Sequence, residues 1–460
     1  MHKSIFSFWF LTTLLIGDEN LAIAGAPKSV ALTIYTNNMA MVSEKRSAEI
    51  GHPGNVKLMY SGVPSTIDTA SVLVHFDQPA QLYSQNYSYD LISFNSLLKY
   101  HLGQKVFYLQ HKESNERKEG TLLSENPILI QEQDQGAIYT PHQLFFPSIP
   151  KEMAVKPSLF WNIKTDANHL DISLQYLTSQ IGWKSDYTLD LGENGKLDLG
   201  AWITIDNRSG AGFQDANITV LAGDVHMPTR VEPRSYDKGM LAAAPSADNI
   251  TNEPFSGYHL YAIPFLETIK DKEQKQISFI DKKGIPFDEY ALNEQNDYFS
   301  NFGERELQFD HIVALQNSQA NHLGIPLPRG TVRAYKKDKQ HKSQFIGADF
   351  INDIPKEEEF KINIGKYFDI AGKERVKEFR VTKQQQHIVY EITLNNHSQK
   401  SEIIKLKKNT PPNLGKLAIK DSCTAPCAKE TLNAFSTLYT LTLAPEESFT
   451  LSVSYDMELY

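Results

Sequence analysis

Alternation of apolar and polar positions dominates this chain. In Leu170-Asp171-Ile172-Ser173-Leu174-Gln175-Tyr176 every second residue is apolar. The same rhythm runs through Leu197, Leu199, Ala201, Ile203 and Ile205, and through Ile388, Tyr390, Ile392 and Leu394. It returns in Phe449, Leu451, Val453, Tyr455, Met457 and Leu459. A period of two with one polar face predicts half-buried antiparallel strands. Turn-forming clusters separate the runs: Gly192-Glu193-Asn194-Gly195, Asn207-Arg208-Ser209-Gly210 and Ala444-Pro445-Glu446-Glu447. Many strands with regular turns predict an all-β chain of tandem antiparallel β-sandwiches of the Ig-like kind, with little helix.

Two segments depart from that pattern. Leu98 and Leu102 lie one turn apart and Gly103 follows, which predicts a short helix over Ser96 to Leu102 closed by a left-handed glycine. Strand signals then follow at Val106 to Gln110, Gly120 to Leu123 and Ile128 to Ile130, with a polar hairpin tip at Lys112 to Lys118. That spacing predicts a small SH3-like barrel inserted at residues 96–150. Tyr236 to Ser256 is Ala-rich, carries Pro245 and Pro254, and has little apolar periodicity. It reads as a linker or mobile loop over 236–256. The remaining boundaries are an N-terminal β segment at 25–95, a central sandwich at 151–235, a connecting β segment at 257–303 and a C-terminal sandwich at 304–460.

The start of the chain reads as an export signal. Lys3 supplies a positive charge, Ser4 to Gly17 is uncharged and apolar, and Ala22-Ile23-Ala24 fits the small-x-small cleavage pattern. Cleavage after Ala24 would place the protein in the periplasm or outside the cell. The alternative is an uncleaved anchor, but the apolar run falls short of the roughly 20 residues a membrane span needs. Asp18 and Glu19 between the apolar run and the cut depart from the usual signal. No later stretch has the length and apolarity of a transmembrane segment.

Composition narrows the partners. The 460 residues suggest about three domains at roughly 150 residues each. The net charge of −9 argues against nucleic acid, whose partners carry a basic face. Cys423 and Cys427 are the only cysteines, and an oxidising compartment favours a local disulfide between them. A redox role would need a two-residue spacing in a thioredoxin-like context.

Catalytic motifs are missing. The chain has no His-Glu-x-x-His, no Gly-x-Ser-x-Gly and no phosphate-binding glycine loop. Gly210-Ala211-Gly212 is followed by Phe213-Gln214-Asp215, which breaks the dinucleotide pattern, and Arg208 breaks a calcium-loop reading of Asp206-Asn207-Arg208. No catalytic, cofactor-binding or metal residue is assigned, and no cofactor is expected. The histidines are scattered, with His322, His341 and His387 as a set that tertiary structure alone could bring together. Four side chains stand as binding candidates. Trp183 and Trp202 offer aromatic faces for sugars or peptide, against the alternative of core packing. Arg329 and Arg333 open a basic stretch reaching Lys342 that suits an anionic polymer, or else protects a hairpin edge.

Four stretches together resemble an exported bacterial family catalogued as domain of unknown function forty-one thirty-nine, which has mucoidy-inhibitor-like members. They are Ile34-Tyr35-Thr36-Asn37-Asn38-Met39-Ala40-Met41-Val42; Trp183 to Tyr187 followed by Trp202 to Gly210; Asp215-Ala216-Asn217 leading to Leu221 to Val225; and Leu327 to Tyr335 with Phe345 to Asp349. The long coiled coil of the mucoidy-inhibitor-like members has no counterpart here. The resemblance implies all-β sandwiches in an exported protein and supplies no catalytic residues. The expected function is therefore a non-enzymatic cell-envelope protein whose sandwich surfaces bind another protein or a surface polymer. The alternative is an envelope hydrolase acting on glycan or peptide in a cleft between sandwiches.

Overall fold

The computed structural model describes residues 20–460 apart from 90–91, 113–115, 133–135, 137, 150–152, 154, 226–250, 256, 297–302, 411–416 and 459–460. The apolar run at the start of the expected signal, and most of the expected linker at 236–256, lie outside the described residues. Strands carry the fold: among the described residues helix is confined to Phe94–Tyr100 and a 3-10 turn at Gln319–Asn321. The alternating segments read from sequence form the strands His169–Ser179, Lys196–Asn207, Gln385–Asn396 and Ser448–Glu458. Their apolar positions are buried and the intervening ones are mostly not. Asn194 and Gly195 both take positive φ, +71° and +67°, in the hairpin that joins Ile181–Leu191 to Lys196–Asn207. That is the backbone a tight two-residue β-turn needs.

The chain divides into two units. The first holds the described residues up to Gly182, with Asp206–Val220 and Ala262–Gln274. One of its sheets runs Leu21–Ile23, Gly54–Ser61, Ser158–Thr165, Ala80–Ser88. A second contains Phe213–Ala222, Ser29–Tyr35, Met39–Glu49, His169–Ser179 and Ile67–Phe76 in that order. The two sheets face one another: the Tyr60 hydroxyl donates to Glu44 Oε2 at 2.9 Å, and the Arg46 guanidinium lies 4.0 Å from the Tyr60 ring centre. Tyr176 donates to the other oxygen of Glu44 at 3.0 Å, so this buried carboxylate is fully bonded. The strand Leu21–Ile23 contains the start of the expected cleavage pattern. It pairs in parallel with Lys57–Met59, and Ala22 and Ala24 are buried.

The inserted segment needs a correction. Its strands Lys105–Leu109, Lys118–Glu125 and Ile128–Glu132 match the expected ones, and Leu98, Val106, Tyr108, Leu122 and Ile130 form its core. However, the sheet order is Ile138–Tyr139, Ile128–Glu132, Lys118–Glu125, Lys105–Leu109, Gln143–Phe145, and no ladder joins the two outer strands. It is an open sheet, not a barrel. The four chain steps from Tyr139 to Gln143 reach about 14 Å, whereas five flat strands span about 19 Å. The sheet therefore curls, but strands of two and three residues are too short to close it. Its helix starts at Phe94 because Ser93 caps it, accepting from Ser96 N at 3.0 Å while Ser96 Oγ accepts from Ser93 N at 2.8 Å. Gly103 takes φ +76° just beyond its end.

The second unit holds Trp183–Ile205, Leu221–Tyr261 and Lys275–Tyr460. Three sheets build two large cores, and Tyr290, Ile312 and Ala314 form a smaller buried cluster. The first sheet runs Glu273–Pro286, Lys196–Asn207, Ile181–Leu191, Gly330–Lys337, Ser343–Ile351. The second runs Glu359–Lys366, Asp310–Gln316, Asp288–Asn296, Glu402–Asn409, Ser436–Leu443, Ala428–Asn433. The third runs Glu304–Leu307, Ile370–Val381, Gln385–Asn396, Ser448–Glu458, Leu417–Cys423. Val313, Leu315, Phe360 and Ile362 of the six-stranded sheet share a core with Leu189, Leu199 and Val332. Ile404, Leu406, Tyr439 and Leu441 of that same sheet share another with Tyr390, Ile392, Leu451 and Val453. One sheet thus serves two sandwiches. Its seam is Asp288–Asn296, antiparallel to Asp310–Gln316 and parallel to Glu402–Asn409.

A short device recurs at three strand ends. Asn207, Asn317 and Asn396 are all fully buried and each is followed within two residues by Ser. Each side-chain amide donates to at least two main-chain carbonyls: Ala211 and Lys270 at 2.8 and 3.0 Å, Ile325 and Pro355 at 2.7 and 2.8 Å, Lys400 and Leu443 both at 2.9 Å with Ala444 at 3.1 Å. Each side-chain oxygen accepts a main-chain N–H, from Ser209, Gly324 and Ser398 respectively. Each buried asparagine thus ties main-chain groups of neighbouring turns together at a strand end.

Candidate functional site

A polar cleft of about 600 Å³ opens on the seam of the six-stranded sheet. Glu289 comes from the seam strand, His311 from the strand beside it on one side and Glu402 from the strand on the other. Tyr367, Phe368 and Asp369 lie on the turn between Glu359–Lys366 and Ile370–Val381. Lys336 and Lys400 flank the opening.

The ionisable groups are bonded to one another. His311 Nε2 stands 2.7 Å from Glu289 Oε1. This contact, aided by Lys336 at 3.7 Å and Lys400 at 3.9 Å, outweighs burial and lowers the Glu289 carboxyl to about 2. Burial pushes the Tyr367 phenol well above its ordinary value, and its hydroxyl donates to the carboxylate of Glu402, which adds to the rise. The His311 and Tyr367 rings lie 4.5 Å apart, centre to centre. At neutral pH Glu289 is therefore a fixed acceptor and Tyr367 a fixed donor.

The binding candidates read from sequence lie elsewhere. Trp183 is buried and its indole N–H donates to the Leu221 carbonyl at 3.1 Å. Trp202, one strand away, leaves 40% of its surface exposed. Arg333 shares that exposed side of the sheet and donates to Asp186 Oδ1 at 3.0 Å. Burial works against ionisation of Asp186, but hydrogen bonds from Arg333 and Thr204 hold its carboxyl below the usual range. Arg329 donates to Asp224 Oδ2 at 2.9 Å. Within the basic stretch, Lys336 and Lys337 also face acids, Glu289 and Asp190. The structure brings Trp202 and Arg333 to one face and turns Trp183 into the core.

Cys423 and Cys427 are joined in a disulfide between the end of Leu417–Cys423 and the start of Ala428–Asn433. It links a strand of the third sheet to the edge strand of the six-stranded sheet. His387 is held by Asp456 at 2.6 Å. Among the described residues no three His, Cys, Asp or Glu side chains form a metal-binding group, so His322, His341 and His387 do not make one.

Sequence reasoning missed Glu289, His311, Tyr367 and Glu402. They span more than a hundred positions with no local motif. The exposed aromatic Phe368 between Tyr367 and Asp369 is the only local signal, since it breaks the apolar alternation at a turn. No protein-family model matches the chain, and no curated protein matches it. No helix among the described residues is long and apolar enough to cross a membrane.

Proposed function

We propose that the chain is an exported, non-enzymatic protein of the cell envelope, periplasmic or secreted. In this reading it belongs to the exported family its motifs resemble, and its sandwiches are of the Ig-like kind. It binds a surface polymer at the cleft on Asp288–Asn296. One observation carries the choice of binding over hydrolysis. General acid–base chemistry needs a group whose proton is exchangeable near the working pH. Glu289 is lowered to about 2 and is already engaged by His311, and the Tyr367 hydroxyl donates to Glu402, so these four groups spend their polar atoms on one another in a fixed pattern of acceptors and donors.

The test is affinity capture from the envelope of the producing cell, using the exported protein and a Glu289→Lys variant, with bound glycans and proteins both identified. Retention of polymer by the native protein and its loss in the variant supports the reading. Release of soluble fragments from that polymer by the purified protein overturns it in favour of a hydrolase. Capture of a protein with no polymer overturns the choice of ligand.

A further inference from the structure

We infer that the cleft is a subsite for one uncharged pyranose unit of such a polymer, with Phe368 as the platform on which the sugar ring stacks. The inference rests on the polymer-binding reading above and names its ligand chemistry.

The charge pattern comes first. Three acids line the cleft, Glu289, Asp369 and Glu402, against three lysines, Lys336, Lys366 and Lys400. The two sets balance, so neither a polyanion nor a polycation finds a field of one sign. A polyhydroxylated ligand suits such a wall because each hydroxyl both donates and accepts. Lys336 and Lys400 remain 3.5 Å or more from the carboxylates they face, as ion pairs rather than short hydrogen bonds. Their N–H groups are therefore placed to donate to ligand oxygens while Glu289 accepts.

Phe368 supplies the apolar half of the recognition. It is 96% exposed, so its ring rests against almost nothing. Its neighbours are nevertheless fixed. Tyr367 N donates to the Phe309 carbonyl at 2.8 Å and its hydroxyl is held by Glu402. The Asp369 carbonyl accepts from His397 N at 2.8 Å. The pinned turn fixes where the ring is rooted, so only its own side-chain torsions are ordered when a ligand stacks on it. The C–H face of a pyranose stacks on such a ring while its hydroxyls meet the polar wall. The volume of about 600 Å³ falls in the range of small-ligand clefts.

The full chain, native and as Phe368→Ala, Phe368→Trp and Glu289→Gln, would be titrated calorimetrically. Probes are neutral hexose oligosaccharides (cellohexaose, laminarihexaose and mannohexaose), with hyaluronan and a mixed tryptic peptide pool as contrasts. Circular-dichroism melts confirm that each variant is folded. The inference expects saturable binding of at least one neutral oligosaccharide, weakened tenfold or more in Phe368→Ala and retained within threefold in Phe368→Trp. Binding confined to hyaluronan or to peptides overturns it. Equal binding of neutral sugar by Phe368→Ala also overturns it. If envelope polymer is still captured while no neutral oligosaccharide binds, the sugar subsite fails and the polymer-binding reading stands. If neither is bound, both fail.

Discussion

His311 Nε2 lies 2.7 Å from Glu289 Oε1 across two adjacent strands of the six-stranded sheet. The pairing makes stability depend on pH. Glu289 titrates at about 2 in the fold, against an ordinary value of 4.5. A depressed carboxyl stabilises the fold above its unfolded pKa, and that contribution is lost as pH falls through the folded value. The difference corresponds to about 3 kcal/mol. Urea unfolding between pH 7 and pH 2 is expected to show the native protein losing this increment below about pH 4.5. Glu289→Gln should lack that part of the slope. Parallel pH profiles for the two proteins would remove the pair from the account.

Lys408 and Glu374 form a buried ion pair in the core of the second sandwich, and Arg305 also donates to Glu374. Removing Lys408 leaves the buried Glu374 carboxylate with Arg305 and one oxygen without its cation. Lys408→Ala is expected to cost about 3–5 kcal/mol. The double change Lys408→Met with Glu374→Leu is expected to recover most of that loss, because it leaves only Arg305, which reaches solvent. Chemical unfolding of the single and double variants measures the difference.

The recurring asparagines predict a shared sensitivity. Asn207→Ala, Asn317→Ala and Asn396→Ala each leave at least two main-chain carbonyls and one N–H without this partner. Each is expected to lower stability by about 2–3 kcal/mol. Substitutions of Ser209, Ser318 and Ser398 by alanine should cost less, since the asparagine side chain makes most of the bonds. Thermal melts of the three alanine variants check this. A near-neutral result at any site would show that water replaces the amide there.

The two tryptophans of the central strands should separate cleanly. Trp183→Ala empties a buried site and loses a hydrogen bond, for about 3–5 kcal/mol. Trp202→Ala removes a ring that is 40% exposed and is expected to cost less, about 1–2 kcal/mol. Denaturant midpoints of the two variants provide the comparison.

The strand Leu21–Ile23 predicts a difference between two forms of the chain. Asn20 O accepts from Lys57 N, and Ala24 N donates to the Met59 carbonyl, both at 2.9 Å. A chain beginning at Gly25 loses this pairing. It is expected to melt a few degrees below a chain beginning at Asn20. Identical melting would mean that the strand contributes nothing to the first sandwich.

The local fold was legible because alternation is a local signal. Leu170, Ile172, Leu174 and Tyr176 had to face one way once their segment became a strand. Gly192 to Gly195 could be read as a hairpin because few residues accept positive φ. The helix near Leu98 was visible from its spacing, but its start depended on the cap offered by Ser93. The small barrel was misread because closure depends on which edge strands meet, and that is a property of the whole sheet.

The sequence by itself determined the secondary structure and its buried faces, because side-chain alternation and turn chemistry act over a few residues. Tertiary structure decided that one sheet serves two cores, that Trp183 turns inward while Trp202 stays exposed, and that Glu289, His311, Tyr367 and Glu402 meet at a seam. These residues lie apart along the chain; strand pairing across the six-stranded sheet brings Glu289, His311 and Glu402 side by side, and the turn after Glu359–Lys366 brings Tyr367 to them. Contact with His311 lowers the Glu289 carboxyl to about 2 against the effect of burial, and burial keeps the proton on the Tyr367 phenol. Neither is written in the neighbours of Glu289 or Tyr367 along the chain.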